Sequence, residues 1–560
     1  MVSERTGGAS AADSAGYVGQ AGSAGLTGVA GRAITIAALA IIVANVALTL
    51  PSSLPGALQV SLHATGGQIT WYSTLFGVAT ALGGLPFAVL GDLRGRKRVL
   101  LLGFALVAIG SLIALLAGDI HVLWAAQAVA GLGGGALYTC SLAMIVAASR
   151  TPRARATAIA IWTVALALGT AIGPFEAGLL AKNGDWRLAY IPVLVLAVVV
   201  GLACVWFAPE SVSTTRRAYD WGGQALIALC VLGICYGSIE GSEQGWTYWG
   251  VLLSFALAVV FLAAFLWHEA RHPEPLLRLS LFRSPAFSSA AFIALVGMAS
   301  FVAGAYMLGL LFGIADGLNP FQVALRLVPL SLVTVVLYPV LRRWLASVSA
   351  RWLLGLGVLP LAAGLFWLGA LPEGAGYGEV IVPTLLCGLG FAFLVSSLTT
   401  GAVNSVPIQL GSVAAGTTET LRLIGQTLAI AVIGAIGLSR ANAYVLSGLA
   451  RLGSSGIPAP VLHAAEGIAS QGGVVAVASV PLGPASKVIT PLALTSLTNG
   501  LDDAFRLSGI VVLVGAVVAL VFLRDDPGRI LLEDVEDARP AHVTAAATIE
   551  SYGASGDLGG

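Results

Sequence analysis

Residues 85–103 read LPFAVLGDLRGRKRVLLLG, a short loop dense in charge set between two apolar runs. Crossing the apolar part of a bilayer takes roughly 20 apolar residues in a helix, and runs of that kind lie on both sides of the loop. In all, such runs separated by short polar breaks begin near residues 33, 70, 99, 122, 157, 188, 221, 249, 287, 321, 352, 380, 415 and 505. The pattern predicts an all-α membrane protein with fourteen transmembrane helices.

Composition agrees. Hydrophobic residues make up 57% of the 560, charged residues 10%, and mean hydropathy is +0.92, whereas an average soluble domain carries about 25% charged residues. The 70 glycines suit helices that must approach closely in lipid. A net charge of +1 gives no reason to expect a nucleic-acid partner. The five cysteines, Cys140, Cys204, Cys230, Cys235 and Cys387, all fall inside apolar runs without paired spacing and read as buried thiols. The six histidines read as showing no ligand spacing, so neither a metal nor a cofactor is expected. No phosphate-cradling loop is present, which excludes ATP as a direct energy source, and no enzyme signature is found. Gly131, Gly133, Gly134 and Gly135 lie inside an apolar run and read as packing glycines.

Basic residues set the expected orientation. Loops carrying Arg94, Arg96, Lys97 and Arg98, then Arg150, Arg153 and Arg155, Arg216 and Arg217, Arg271, Arg278 and Arg283, and Arg342, Arg343 and Arg351 all fall on one side. With both chain ends, that side holds 20 of the 28 basic residues and the other side six. This predicts a multi-pass inner-membrane protein with both termini in the cytoplasm. Residues 1–32 and 525–560 read as disordered cytoplasmic tails, the first lacking the charged-then-apolar order of a cleavable signal peptide. Residues 441–504 read as a long external loop, too polar and too rich in Gly, Ser and Pro to cross, in which residues 461–469 suit a short amphipathic helix.

The opening loop has a degenerate counterpart. Residues 338–355 read YPVLRRWLASVSARWLLG; Pro339 lies twelve residues before Arg351, as Pro86 lies twelve before Arg98, though Leu345 stands where Asp92 would be. Corresponding loops eight spans apart imply six helices (33–208), two inserted ones (221–269) and six more (287–524). Internal repeats of this kind place a transport site near the midplane between the halves.

GDLRGRKR, residues 91–98, resembles the signature of the major facilitator superfamily between spans 2 and 3, G-x-L-a-D-r-x-G-r-k. Leu90, Asp92, Gly95, Arg96 and Lys97 match it, and Ala88 and Leu93 depart. Residues 169–180, GTAIGPFEAGLL, resemble the glycine/proline motif of antiporter branches through Gly169, Gly173, Pro174 and Gly178. DWRLAY (185–190), YDWGG, EGSEQGW, HEARHPEPLLRLSLFR and AGTTETLRLIGQTLA (415–429) are similar to the fourteen-span drug/proton antiporter branch, so the resemblance spans roughly residues 33–525. It implies a major facilitator fold with fourteen transmembrane helices arranged as 6+2+6. It also implies a cytoplasmic latch formed by Asp92, Gly95, Arg96 and Lys97, and close helix packing across the two halves by the glycine/proline motif. A plain topogenic cluster would explain the positive charges of the first motif, not its Asp/Gly spacing. The function implied is a secondary active exporter working by alternating access: a monomer in the lipid bilayer that expels small hydrophobic or amphiphilic drugs or natural products in exchange for protons.

 Two positions depart from the family: the acid expected five residues before Asn45 is Ala40, and the arginine expected in span 4 is Gln127, with Ala130 in place of the following glutamine.

The chain offers another acid. Glu176 lies deep in span 5 and Arg326 at a similar depth in span 10, and an ionisable residue there must find a partner, a cavity or a proton. In the family fold these helices are neighbours, so a Glu176–Arg326 pair is expected to close the outer gate and to couple transport to protons. Glu240 reads as a loop-edge residue outside the transport core, Asp316 as a residue of the outer mouth, and Glu419 with Arg422 as a local ion pair. Asn45, Gln127, Tyr138, Trp162, Tyr306, Phe391 and Gln426 are the expected cavity lining, a set suited to a bulky, partly apolar solute. Two rival functions remain at this stage: a dedicated exporter of one endogenous metabolite or lipid, and a membrane sensor or scaffold that no longer transports.

Overall fold

The computed structural model describes residues 28–523, apart from 150–151, 182–184, 212–219, 274, 276, 373, 407–410, 453–456 and 481. Residues 1–27 of the first tail, the second tail, the loop holding Arg216 and Arg217, and Lys182 therefore lie outside the described residues, while Val29–Arg32, expected in the first tail, open the first helix. Among those described there are helices and no strands, as lipid demands of a chain that must satisfy its backbone within each segment.

The first half comprises α1 (Val29–Thr49), α2 (Pro55–Leu62), α3 (Gly66–Arg94), α4 (Arg96–Leu115), α5 (Ile120–Ala148), α6 (Pro152–Ala181) and α7 (Tyr190–Phe207). A hairpin of α8 (Trp221–Gln244) and α9 (Trp249–Glu269) follows. The remainder is α10 (Pro285–Leu310), α11 (Pro320–Ser347), α12 (Ala350–Gly355), α13 (Leu359–Leu368), α14 (Tyr377–Asn404), α15 (Gly411–Leu428), α16 (Ala435–Leu452), α17 (Ala459–Ser479) and α18 (Ser486–Phe522). Among the described residues, thirteen helical spans are long and apolar enough to cross a membrane, and α3, bent by 42° beside Pro86, makes a fourteenth when counted as one span.

Local chemistry sets the helix ends. Thr65 and Gln68 form a reciprocal capping box that opens α3, and Ser284 caps α10 with Pro285 in the first turn. Gly95, at φ 105°, turns the chain between α3 and α4 in a conformation that penalises a side chain.

Small residues then bring the helices together. A Cβ at Gly135 would come within 2.8 Å of the Thr80 carbonyl oxygen on α3, and one at Gly133 within 2.6 Å of the Gly103 oxygen on α4. The glycine string of α5 is thus a packing surface used on two sides.

Residues 441–504 differ from the expected loop. α16 runs on to Leu452, α17 is a separate helix and α18 begins at Ser486. Alanine-rich sequence favours helix here, and Leu462, Ala465 and Ala469 form a buried stripe along α17. Gly473, at φ 69°, kinks α17, and the freed Val474 amide donates to the Asn442 carboxamide at 2.6 Å. The Gly, Ser and Pro residues that mark the stretch as non-spanning punctuate helices rather than dissolve them.

The hairpin leans on both halves. Gln224 donates to the Leu82 carbonyl of α3 (3.1 Å), and Glu243 accepts the Gly67 amide (2.7 Å). Toward the second half, Asn442 donates to the Ser242 carbonyl (2.9 Å) and Trp246 to Ser439 (2.8 Å). Glu240 is likewise more than a loop-edge residue, since it accepts the Trp71 indole of α3.

Candidate functional site

A cavity of about 1060 Å³, counting the part open to solvent, lies between the two halves. Asn45 and Thr49 of α1, Ser73 and Thr74 of α3, Tyr138 of α5 and Thr170 of α6 line one wall. Phe301 and Tyr306 of α10, Ser331 of α11, Phe391 of α14 and Gln426 of α15 line the other. Among the described residues that line it, none carries a charge. Hydroxyls and amides supply the polar contacts, and the Phe301 and Phe391 rings stack at 3.7 Å between centroids.

Five of the seven expected lining residues are brought together here: Asn45, Tyr138, Tyr306, Phe391 and Gln426. Gln127 and Trp162 are not. Gln127 is buried beside the Tyr72 hydroxyl, which itself bonds Tyr190 at 2.6 Å, and Trp162 donates its indole N–H to Ser141 at 3.0 Å. Trp162 is thus satisfied within its own half, whereas the Gln127 Nε2 atom is buried without a hydrogen-bond partner.

Past Gln426, toward the end that carries the 91–98 loop, Glu419 and Arg422 form the local ion pair expected of their spacing. Arg422 is only 3% exposed and donates through Nε (2.9 Å) and Nη2, while its Nη1 is buried without a hydrogen-bond partner. The Tyr138 hydroxyl, also unpartnered, feels both charges.

At the opposite end the halves close tightly. A Cβ at Gly178 of α6 would lie 2.4 Å from the Pro320 carbonyl oxygen, and one at Gly309 would lie 2.3 Å from the Ser52 oxygen. Tyr306 and Thr70 share a hydrogen bond of 2.8 Å across the halves, and Phe175 meets Phe321 at 6.0 Å. Of the glycine/proline motif, Gly178 makes the contact across the halves. Gly169 and Gly173 pack instead on α1, against the Ile42 and Val46 carbonyl oxygens, and Pro174 lines the cavity.

α6 and α11 are therefore neighbours, yet the expected Glu176–Arg326 pair is not formed. Arg326 donates to Asp316 at 3.2 Å, with its guanidinium over the Phe312 ring, and the Glu176 Oε1 atom is buried without a hydrogen-bond partner. Asp316 sits in the loop before α11, a nearer and more flexible partner than an acid on a rigid helix. Burial pushes the Asp316 carboxyl up from its ordinary range, and Arg326 opposes the rise.

The 91–98 loop knits together the end of the first half. Arg96 bonds Asp92 (2.8 Å) and the Ala143 carbonyl of α5 (3.1 Å), and Lys97 donates to the Val205 carbonyl near the end of α7 (2.8 Å). Glu210, which sequence reading passed over, accepts the Lys97 amide at 3.2 Å. Its carboxylate also occupies the space that a side chain at Gly95 would need. The second half repeats the device: Arg351 donates to the Leu520 carbonyl near the end of α18 at 2.6 Å. In each half a cation from the loop meets carbonyls at a helix C-terminus, the negative end of its dipole.

The expectation that the histidines lack ligand spacing does not hold. His268 and His272 are four residues apart on one helical turn, and with Asp220 they place potential metal-ligating atoms within 4.8 Å of one another.

Fold and cavity define a two-halved membrane transporter rather than an enzyme. The chain belongs to the Major Facilitator Superfamily, whose family profile matches residues 33–430. It is 31% identical over 381 residues to the multidrug resistance protein Stp of Mycobacterium tuberculosis, covering 68% of this chain and 70% of that protein. It is 27% identical over 498 residues to the tetracenomycin C resistance and export protein of Streptomyces glaucescens, covering 88% of this chain and 92% of that protein. A solved bacterial homologue of the human lysosomal transporter Spinster, inward-facing and unoccupied, shares the fold at a TM-score of 0.60 and 15% identity, over 89% of this chain and 98% of that one.

Proposed function

We propose that this chain is a secondary active exporter of hydrophobic or amphiphilic drugs or natural products, working by alternating access and driven by proton antiport. The observation that carries this reading is the uncharged, aromatic-floored cavity between two halves that are shut at one end. Such a lining suits neutral, partly planar solutes bearing hydroxyl or carbonyl groups, because it offers hydrogen bonds and ring stacking without desolvating a fixed charge. The names of the two relatives, one of multidrug resistance and one of resistance with export, support the direction and the solute class.

In this account the 91–98 loop is cytoplasmic, the shut end is the outer gate, and the chain is arranged as six helices, a two-helix insertion and six more. Proton exchange is assigned to Glu176, the buried acid left without a hydrogen-bond partner beside the cavity-lining Pro174. Asp316 and Arg326 hold the gate, and Asp92, Gly95, Arg96 and Lys97 with Glu210 form the latch on the inner side.

Purified protein in proteoliposomes with an acidic lumen tests the proposal. With the membrane potential held at zero by an ionophore, one-to-one exchange of a neutral solute for a proton under a gradient of two pH units permits accumulation of up to about a hundredfold, since each 1.4 kcal/mol is tenfold. Wild type accumulates a neutral aromatic drug under this gradient, and Glu176→Gln loses the response to it. A Glu176→Gln protein that responds as wild type does would refute the assignment to Glu176, and a wild type indifferent to the gradient would refute proton antiport.

A further inference from the structure

The end of the inserted hairpin carries a cluster that transport does not use. The α9 helix ends at Glu269 within the string HEARH, residues 268–272, and just past it the His272 amide bonds the His268 carbonyl at 2.9 Å, a last i to i+4 bond that brings both imidazoles to the same end of the hairpin. Histidines at i and i+4 share a face, the spacing by which H-E-x-x-H helices present two nitrogen ligands to a metal. Asp220 caps the start of α8 and reaches the same place: its Oδ1 lies 2.6 Å from His268 Nε2 and accepts the Gly223 amide at 2.8 Å.

We propose that Asp220, His268 and His272 form a site for a zinc-class divalent cation that clamps the start of α8 to the end of α9. Three observations support a ligand here beyond a capping interaction. The Asp220 side chain is 3% exposed and its Oδ2 has no hydrogen-bond partner. His272 Nδ1 and Glu269 Oε1, close by, are also buried and unpartnered, so several orphaned acceptors and donors gather at one point. Gly222 and Gly223 hold the space open: a Cβ on Gly222 would meet the His268 ring at 2.9 Å, and one on Gly223 would meet Asp220 Oδ2 at 2.4 Å and Glu269 Oε1 at 2.6 Å.

The donor set is two imidazoles and a carboxylate, which suits Zn²⁺ and its first-row neighbours rather than Mg²⁺ or Ca²⁺. Ligand atoms within 4.8 Å of one another need only side-chain rotation to reach the ~2.0–2.2 Å bonds of a zinc centre. The His268 side chain is 27% exposed, which leaves an open direction for water as a fourth ligand. Glu269, whose other oxygen accepts the Leu277 amide at 3.0 Å, fixes the following segment against the site.

The full chain, purified through a tag without histidine and held in lipid nanodiscs, is stripped with a chelator and titrated with Co²⁺ and then Zn²⁺. The expected result is one Co²⁺ per chain, with the visible absorption of a four-coordinate site that Zn²⁺ abolishes. Asp220→Asn and His272→Ala each weaken Zn²⁺ binding by about tenfold or more, while His121→Ala, a change at an exposed histidine elsewhere, leaves it unchanged. His272→Gln carries the same expectation and preserves bulk if the alanine variant does not elute as a folded species. Absence of stoichiometric metal on wild type, or binding by a folded His272 variant as tight as wild type, overturns the proposal.

Discussion

The two ends of the cavity hold their charges differently. Arg422 and Glu419 lie three residues apart on one helix, with the arginine side chain 4% exposed. Arg326 and Asp316 join a helix to a loop, with side chains 19% and 23% exposed. Breaking a buried pair by removing one partner costs about 3–5 kcal/mol, because the other charge is left stranded. A single hydrogen bond to a charged group contributes about 1.5–3 kcal/mol. The first pair is therefore the costlier to break and the second the easier to exchange, the contrast that the proposed alternating access would require of a fixed end and an opening one.

The largest effect expected from breaking this contrast is at the floor. Arg422→Ala should abolish transport and lower the melting temperature, whereas the double variant Glu419→Gln with Arg422→Gln should recover much of the stability; thermal unfolding in detergent checks both. Next comes the gate surface. Gly178→Leu sets a side chain against a backbone oxygen that cannot move aside, so transport in vesicles should fall by about tenfold or more while the protein still folds.

A smaller effect is expected at Asp316. Its carboxyl is raised by burial, with Arg326 opposing, so keeping it ionised costs stability that acidification returns. Stability from this group is greatest below the free carboxylate value of about 3.9 and is lost as pH rises through the higher folded value. Melting curves recorded across that window should show an acid-side gain in wild type that Asp316→Asn removes. An unchanged gain in the variant would assign it to another group. The Arg326 ion pair itself runs the other way, since protonated Asp316 no longer carries the charge that holds it.

Much of this architecture was legible in the chain because lipid writes a simple code. Length and apolarity place fourteen spans, and the Glu419–Arg422 pair follows from three-residue spacing on one helix. Partners set by loops were not legible. Arg326 takes Asp316 rather than Glu176, and Glu210 meets the Gly95 turn from more than a hundred residues away, which no local spacing encodes. Gln127 and Trp162 do not line the cavity, because a polar side chain in a span can be buried within its own half instead, Trp162 bonded to Ser141 and Gln127 beside the Tyr72 hydroxyl. The short amphipathic helix expected at 461–469 is part of α17, which extends past the Gly473 kink to Ser479, farther than its glycines suggest. The HEARH turn was readable and was missed, since a histidine pair at i and i+4 announces itself only when helix and spacing are considered together.

The central claim is that the halves part and close around a neutral cavity. Phe175 and Phe321 face each other across the shut end at 6.0 Å, and the five native cysteines are buried, so a pair of introduced thiols can be addressed there selectively. With Phe175→Cys and Phe321→Cys cross-linked by a short thiol reagent with a reducible linkage, transport in proteoliposomes should fall by at least about tenfold and return on reduction, as expected when a conformational step gates turnover. Transport that continues unchanged through the cross-linked protein would contradict the account.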